Sequence, residues 1–450
     1  MAENKRENFS SKLGIIVATA GSALGLGNIY RFPCEAGANG GGAFLIVYLV
    51  AALMIGTPLM ISEFIIGRRS KSNPIGAFRK LTAGKRGPWP IVGYLGVLCA
   101  FLILAFYTTV AGWTLGYLGK SIAGHFANQD LEQIQQQFTS FTSHPWLPLV
   151  CQLVFLALTA FVVARGVKDG IEKYSKILMP LLLVIMVVLC VKSLTLSGAS
   201  DGLRFFFNPD FSKINGRVLI SALGQSFFSL SIGMGALITY GSYISKSDNM
   251  TSSAVSVVLA DTLVAVLAGV IIFPAAFTFG IHPEAGASLA FTTLPMVFQQ
   301  MTGGYFFCLI FFLLLVIATL TSTISLLEVI VAAMTEELHI GRTTAAILGA
   351  IGTAVIGVLA TLSFRTGSPL HLGGRTVFDL LDHVTAQYFM PIGGLLIVLF
   401  TGWCLKRSDA LDELTNGGTL KAGISKAILF IIRYLAPLAI AVIFISQLIG

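Results

Sequence analysis

Long apolar stretches run through this chain from end to end, parted by short polar breaks. About 20 apolar residues are enough to cross a bilayer as a helix. Such stretches fall at about 13–37, 42–66, 91–119, 146–164, 175–196, 218–245, 253–280, 305–334, 343–364, 384–405 and 427–449. The pattern predicts eleven transmembrane helices in a single domain covering residues 1–450. Several stretches exceed the bilayer thickness, so those helices must tilt, break or project. The uncharged run Ala285–Leu327 reads as an outer loop, Ala285–Gly304, followed by the eighth span.

Two spans carry residues that oppose a continuous helix. Between Gly21 and Pro33, three glycines (Gly21, Gly25, Gly27) each cost roughly 1 kcal/mol against alanine. Asn28 and Arg31 put polar groups at membrane depth, and Pro33 removes a backbone donor. Non-helical backbone at that depth survives only where protein buries it or where it lines a cavity. Five spans later, Gly224–Gly235 again clusters small and hydroxyl residues in mid-span. Two interrupted segments at matching positions of two halves point to a transporter binding site. An odd number of helices per half turns the second half over. The predicted inverted repeats cover about 10–197 and 217–406, with an eleventh helix at about 424–449.

Composition agrees: 55% of residues are hydrophobic and 11% charged, against about 25% charged in soluble chains. The net charge of +8 is a topology signal. With the N-terminus inside, 20 Lys and Arg fall in cytoplasmic segments and 7 in outer ones. Positive charge stays inside, so the N-terminus is expected in the cytoplasm, the C-terminus outside, and nucleic acid is excluded as a partner. The N-terminal residues lack the apolar core and cleavage site of a signal peptide. The six cysteines are scattered without CxxC spacing and read as packing residues.

Six segments, in order, resemble the neurotransmitter:sodium symporter family, particularly its bacterial amino-acid transporters. They are Gly21–Pro33, Asn39–Phe44, Trp113–Gly116, Ser226–Gly235, Thr321–Thr323 and the acidic end of the loop between the ninth and tenth spans. The resemblance implies an all-α integral membrane protein with a 5+5 inverted repeat, the leucine-transporter fold, broken in helices 1 and 6. It implies sodium-coupled uptake of a hydrophobic or aromatic L-amino acid across a bacterial inner membrane, with two Na+ sites.

By the same resemblance, the first sodium site uses the Ala23 carbonyl, Asn28, Ser229 and Asp261, completed by the substrate carboxylate. The second uses the carbonyls of Gly21, Leu24 and Ala318 with the hydroxyls of Thr321 and Ser322. Such hydroxyls ordinarily bond to the preceding helical turn; facing a broken helix, they suit an ion. The substrate carboxylate meets backbone N–H groups near Leu26 and Gly27 and the Tyr107 hydroxyl, at a half-helix start. The ammonium meets carbonyls of Ala23, Phe228 and Ser229 and the Ser231 hydroxyl, with Ser322 also at the pocket. Ile103, Phe228, Met234 and Leu326 line the side-chain pocket, and all are apolar.

Asp261 stands in an apolar segment, where an unpaired charge costs roughly 2.5–3.5 kcal/mol. It occupies the place of an asparagine in the family's leucine transporter. Its fixed charge predicts chloride-independent transport, with a proton taken up on the return step. Arg31 and Asp382 resemble an outer gate, with Glu35 a competitor for Arg31. Arg6 and Glu336 resemble an inner gate, beside Phe9 and Tyr243. Gly170 and Pro180 match a pattern that marks an unwinding fifth helix in some bacterial relatives. Glu63 and Glu328 read as acceptors for N–H groups freed in the broken segments. No HExxH, Walker or nucleophile–base pattern occurs, so an enzyme is not expected. A channel would repeat one filter and would not carry Arg31 beside it.

Overall fold

The computed structural model describes residues 8–82, 87–127, 129–280, 291–292, 294–299, 301–365, 367–420 and 422–449. Ser11 opens the first helix as its N-cap, its side chain accepting from the Gly14 N–H. Helix α1 (Lys12–Ala23) stops where the glycines begin, and a π-helical turn (Gly27–Arg31) leads into α2 (Phe32–Ala38). The two parts of this first span are bent by 66°. The second span joins α3 (Gly42–Ala51), a π-turn (Ala52–Gly56) and α4 (Thr57–Ser70), followed by α5 (Pro74–Leu81).

The third span is α6 (Pro90–Ile122); α7 (Leu131–Ser143) precedes the fourth, α8 (Leu147–Ala164). A π-turn (Val167–Glu172) and α9 (Lys173–Ser193) form the fifth, followed by α10 (Ala199–Phe207). The sixth is split into α11 (Gly216–Ser229) and α12 (Ala236–Gly241). Then come α13 (Met250–Phe279), α14 (Leu294–Gln299), α15 (Gly304–Glu337) and α16 (Arg342–Leu362). A two-residue hairpin, β1 (His371–Leu372) with β2 (Arg375–Thr376), precedes α17 (Val377–Val384). The tenth span continues through a π-turn (Thr385–Phe389), α18 (Met390–Leu399) and a second π-turn (Phe400–Cys404). Last are α19 (Arg407–Thr415), α20 (Ala422–Phe430), a π-turn (Ile431–Leu435) and α21 (Ala436–Ile449).

Among the described residues, nine helices are long and apolar enough to cross a membrane, or ten with the bent first pair. The sixth span is broken, as its clustered small and hydroxyl residues predict: residues 230–235 leave helical geometry, and neither half is long enough to be counted alone. The expected outer loop holds the short helix α14.

A frame of α6, α8, α15 and α16 supports the site. Its interior is tied by polar side chains, which outside water must satisfy one another. Buried Gln152 on α8 donates to Thr108 Oγ1 (2.9 Å) and accepts from Thr361 Oγ1 (2.8 Å). Thr159 and Thr323 share a 2.9 Å bond between α8 and α15. At the far end of α4, the wholly buried Arg68 pairs with Glu413 of α19 at 2.7 Å and donates to the Asp248 carbonyl at 2.9 Å.

Candidate functional site

The two helix breaks meet at the centre of the molecule. In the sixth span the chain turns through positive φ at Ser231 (56°), Gly233 (84°) and Gly235 (76°). Only glycine takes such angles without strain, and a Cβ at Gly233 would lie 2.4 Å from the Met390 carbonyl oxygen. Glu63 of α4 accepts the freed Gly233 N–H at 2.7 Å, as expected. Glu328 does otherwise. Its carboxylate accepts from Tyr243 (2.6 Å) and from both Nη atoms of Arg342 (3.1 and 2.5 Å).

Asn28, Ser229 and Asp261 come together, all buried. Asn28 Nδ2 donates to Asp261 Oδ1 at 2.8 Å, and Ser229 Oγ lies 2.8 Å from both carboxylate oxygens. Tyr48 completes the cluster, its hydroxyl donating to Asp261 Oδ2 at 2.9 Å. Tyr48 was not singled out in the sequence; a polar-tipped ring in mid-span is its only signal. Asn28 Oδ1 is buried without a hydrogen-bond partner. An unpaired amide oxygen beside a buried carboxylate suits a hard cation, which prefers oxygen ligands. Among the described residues no three His, Cys, Asp or Glu side chains converge, so a soft-metal site has no support there.

The second group also assembles. Thr321 Oγ1 donates to the Ala318 carbonyl at 3.0 Å, and Ser322 Oγ to the same oxygen at 3.2 Å. Each hydroxyl thus bonds to its preceding turn, as membrane-helix hydroxyls do, and keeps its oxygen lone pairs. A Cβ at Gly21 would lie 3.2 Å from Thr321 Cβ, so α1 packs directly on this face of α15 at Gly21; Leu24 follows as the C-cap of α1.

Between these groups lies a cavity of about 30 Å³ lined by Ala23, Gly27, Ile103, Tyr107, Phe228, Ser231, Met234, Ser322 and Leu326. Ser22 and Gly25, not anticipated, complete its wall. Leu26 is buried next to it, and its N–H donates to Tyr107 Oη at 3.1 Å. The Tyr107 hydroxyl also hydrogen-bonds with Ser322. Ser231 Oγ donates to the Ser22 carbonyl at 3.0 Å, tying the two breaks together. A Cβ at Gly25 would sit 2.6 Å from Ser322 Oγ and 2.7 Å from Tyr107 Oη, so only glycine lets the chain pass here.

The residues expected at the gates lie as follows. Arg31 makes no direct ion pair with Asp382, although its charge acts on that carboxylate; its guanidinium stacks on Phe228, 4.3 Å from the ring centre. Glu35 is no rival for Arg31, being held by Ser221 Oγ at 2.6 Å. Arg6 lies outside the described residues. Glu336 accepts from Ser72 Oγ (3.0 Å) and the Asn73 N–H (2.9 Å). Phe9 does reach Tyr243, its N–H donating to that residue's carbonyl at 3.2 Å. The stretch from Gly170 to Pro180 is helical, passing from the π-turn into α9. Glu172 within it accepts from the Ser10 N–H (2.7 Å), Ser10 Oγ (2.6 Å) and Ser11 Oγ (3.1 Å).

Two broken spans crossing at a small cavity edged by Tyr107, Ser231 and Ser322 define a secondary membrane transporter, not an enzyme. The chain belongs to the sodium:neurotransmitter symporter family, whose profile matches residues 6–130 and 122–450. It is 39% identical over 446 residues to the sodium-dependent transporter YhdH of Bacillus subtilis, covering 99% of this chain and 98% of that one. It is 28% identical over 303 residues to the mouse sodium-dependent neutral amino acid transporter B(0)AT2, covering 60% of this chain and 41% of that one. The crystal structure of MhsT in complex with L-phenylalanine superposes with a TM-score of 0.90 at 44% identity, covering 98% of this chain and all of that one.

Proposed function

We propose that this protein carries a hydrophobic or aromatic L-amino acid inward with sodium, by alternating access around the two breaks. The observation that supports this most directly is the Asp261 cluster. Asn28 from the first break and Ser229 from the second converge on one buried carboxylate, with Asn28 Oδ1 left unpaired beside it. Similarity to a transporter bound to L-phenylalanine supports an aromatic or other apolar substrate, as do the apolar walls Ile103, Phe228, Met234 and Leu326.

One sodium ion binds Asn28, Ser229, Asp261, the Ala23 carbonyl and the substrate carboxylate. That shared carboxylate makes ion and amino acid strengthen each other's binding, reciprocally. A second ion binds the carbonyls of Gly21, Leu24 and Ala318 with Thr321 and Ser322. Tyr107 donates to the substrate carboxylate from the position where it already holds the Leu26 N–H. A cavity of about 30 Å³ holds only one or two waters, so binding requires Phe228 and Met234 to swing aside. Arg31 then leaves the Phe228 face and meets Asp382 over the substrate, while Arg6 and Glu336 close the inner path.

Asp261 supplies the negative charge that chloride gives in chloride-dependent relatives. A proton on Asp261 neutralises the empty carrier as it returns, so protons leave as sodium enters. The protein works in a bacterial inner membrane with its N-terminus in the cytoplasm and its C-terminus outside.

Uptake of L-phenylalanine into liposomes holding the purified protein tests this. Uptake should require an inward sodium gradient, persist with gluconate in place of chloride, and quicken when the lumen is made acidic. Accumulation without sodium would overturn the symport reading; loss of uptake without chloride would overturn the role given to Asp261.

A further inference from the structure

The last span, Gly423–Ser446, contains an arginine that plays no part in the transport site. Arg433 lies ten residues into that span, and it forms no ion pair among the described residues. Its Nε is buried without a hydrogen-bond partner. A guanidinium offers five N–H donors, and leaving them unanswered at membrane depth is costly.

Its surroundings are built, not incidental. Two π-turns, Phe400–Cys404 and Ile431–Leu435, lie side by side. A Cβ at Gly402 would fall 3.0 Å from Arg433 Cα, so the two backbones touch. The Trp403 indole N–H donates to the Arg433 carbonyl at 3.0 Å, which fixes the ring beneath the guanidinium, 4.4 Å away. Tyr434 contributes a second ring at 5.7 Å. Stacking answers the flat face of a guanidinium but leaves its in-plane donors open.

The flanks of this platform face outward: Trp403 is 54%, Tyr434 47% and Phe430 56% exposed. Trp403 also sits at the end of its span, three and four residues before Lys406 and Arg407. Trp403 and the Arg433 backbone it bonds therefore lie on the side of the membrane–water boundary where tryptophan and tyrosine gather, and a long arginine side chain reaches from within its span toward that boundary. On the topology proposed above, this is the cytoplasmic leaflet.

We infer that Arg433, Trp403 and Tyr434 form a binding site for the headgroup phosphate of an anionic phospholipid. A phosphate oxygen pair meets the in-plane donors of a guanidinium in bidentate fashion. The acyl chains of the same molecule cover the exposed rings of Phe430 and Tyr434. No soluble anion supplies both contacts.

The test is lipid binding by the delipidated full-length protein in detergent, followed by native mass spectrometry. Phosphatidylglycerol should bind about five-fold more tightly than phosphatidylcholine, the worth of one well-placed basic residue at an anionic surface. Arg433→Gln should lose that preference while keeping L-phenylalanine binding, and Arg433→Lys should retain most of it. Equal binding of the two lipids, or an unchanged preference in Arg433→Gln, would overturn the site. Competition by millimolar inorganic phosphate would overturn the lipid as its source. Should Arg433→Gln fail to fold, a photoactivatable phosphatidylglycerol decides on the wild type. Labelling of peptides containing Trp403 or Arg433 supports the site, and labelling confined to other peptides overturns it.

Discussion

Tyr48 and Asp261 come from the second and seventh spans, and a 2.9 Å hydrogen bond joins them. The tyrosine holds Asp261 Oδ2 while Asn28 holds Oδ1. Tyr48→Phe removes a bond to a charged group, about 1.5–3 kcal/mol. Half-saturating sodium for uptake should rise at least ten-fold, with little change in expression. Asp261→Asn should raise it further and make the remaining uptake respond to chloride. Sodium titrations of uptake, with and without chloride, check both; unchanged curves would remove Asp261 from ion binding.

Arg31 leans on Phe228 and is otherwise poised below Asp382. Arg31→Ala should cut uptake by an order of magnitude or more while leaving the melting temperature in detergent nearly unchanged, because a cation–π contact is worth about 0.5–2 kcal/mol. Full uptake by this variant would take Arg31 out of the gate.

Gly233 combines a φ of 84° with a wall 2.4 Å from where a Cβ would stand. Gly233→Ala should cost about 1–2 kcal/mol for the backbone alone, plus the clash with Met390, and should abolish uptake. Gly119→Ala makes a fair comparison, since nothing lies within 4 Å of the added carbon. Thermal unfolding of the two variants should separate them clearly.

The Arg68–Glu413 pair is 1% and 2% exposed. Removing one partner of such a pair costs about 3–5 kcal/mol, whereas replacing both by apolar residues is far milder. Glu413→Leu should therefore destabilise more than the double variant Arg68→Met/Glu413→Leu. Melting curves in one detergent test the ordering, and its reversal would show that Arg68 acts mainly through the Asp248 carbonyl.

What the sequence disclosed depended on how local each signal was. The break at Gly21–Pro33 is written in consecutive residues, and so is its counterpart at Ser229–Gly235. Asp261 stands out because charge is rare in apolar spans. Tyr48 does not, since its run Phe44–Tyr48 looks like ordinary aromatic packing. The partners of Glu328 are hidden in the sequence because Tyr243 and Arg342 stand on other elements and meet it only in the fold. The small and hydroxyl residues of the sixth span mark its interruption, but only the structure shows which three residues, Ser231, Gly233 and Gly235, turn through positive φ to make it. The contact of Arg31 with the Phe228 ring is not legible in the sequence, because residues 197 apart meet only through the fold.

The three bonds that Ser10 and Ser11 make to Glu172 join the start of α1 to the fifth span. Any swing of α1 away from the bundle must first break them, and each is a bond to a carboxylate worth about 1.5–3 kcal/mol. On the alternating-access mechanism proposed above, they weight the state in which α1 stays docked, and with it both the frequency of inward opening and the apparent affinity for substrate.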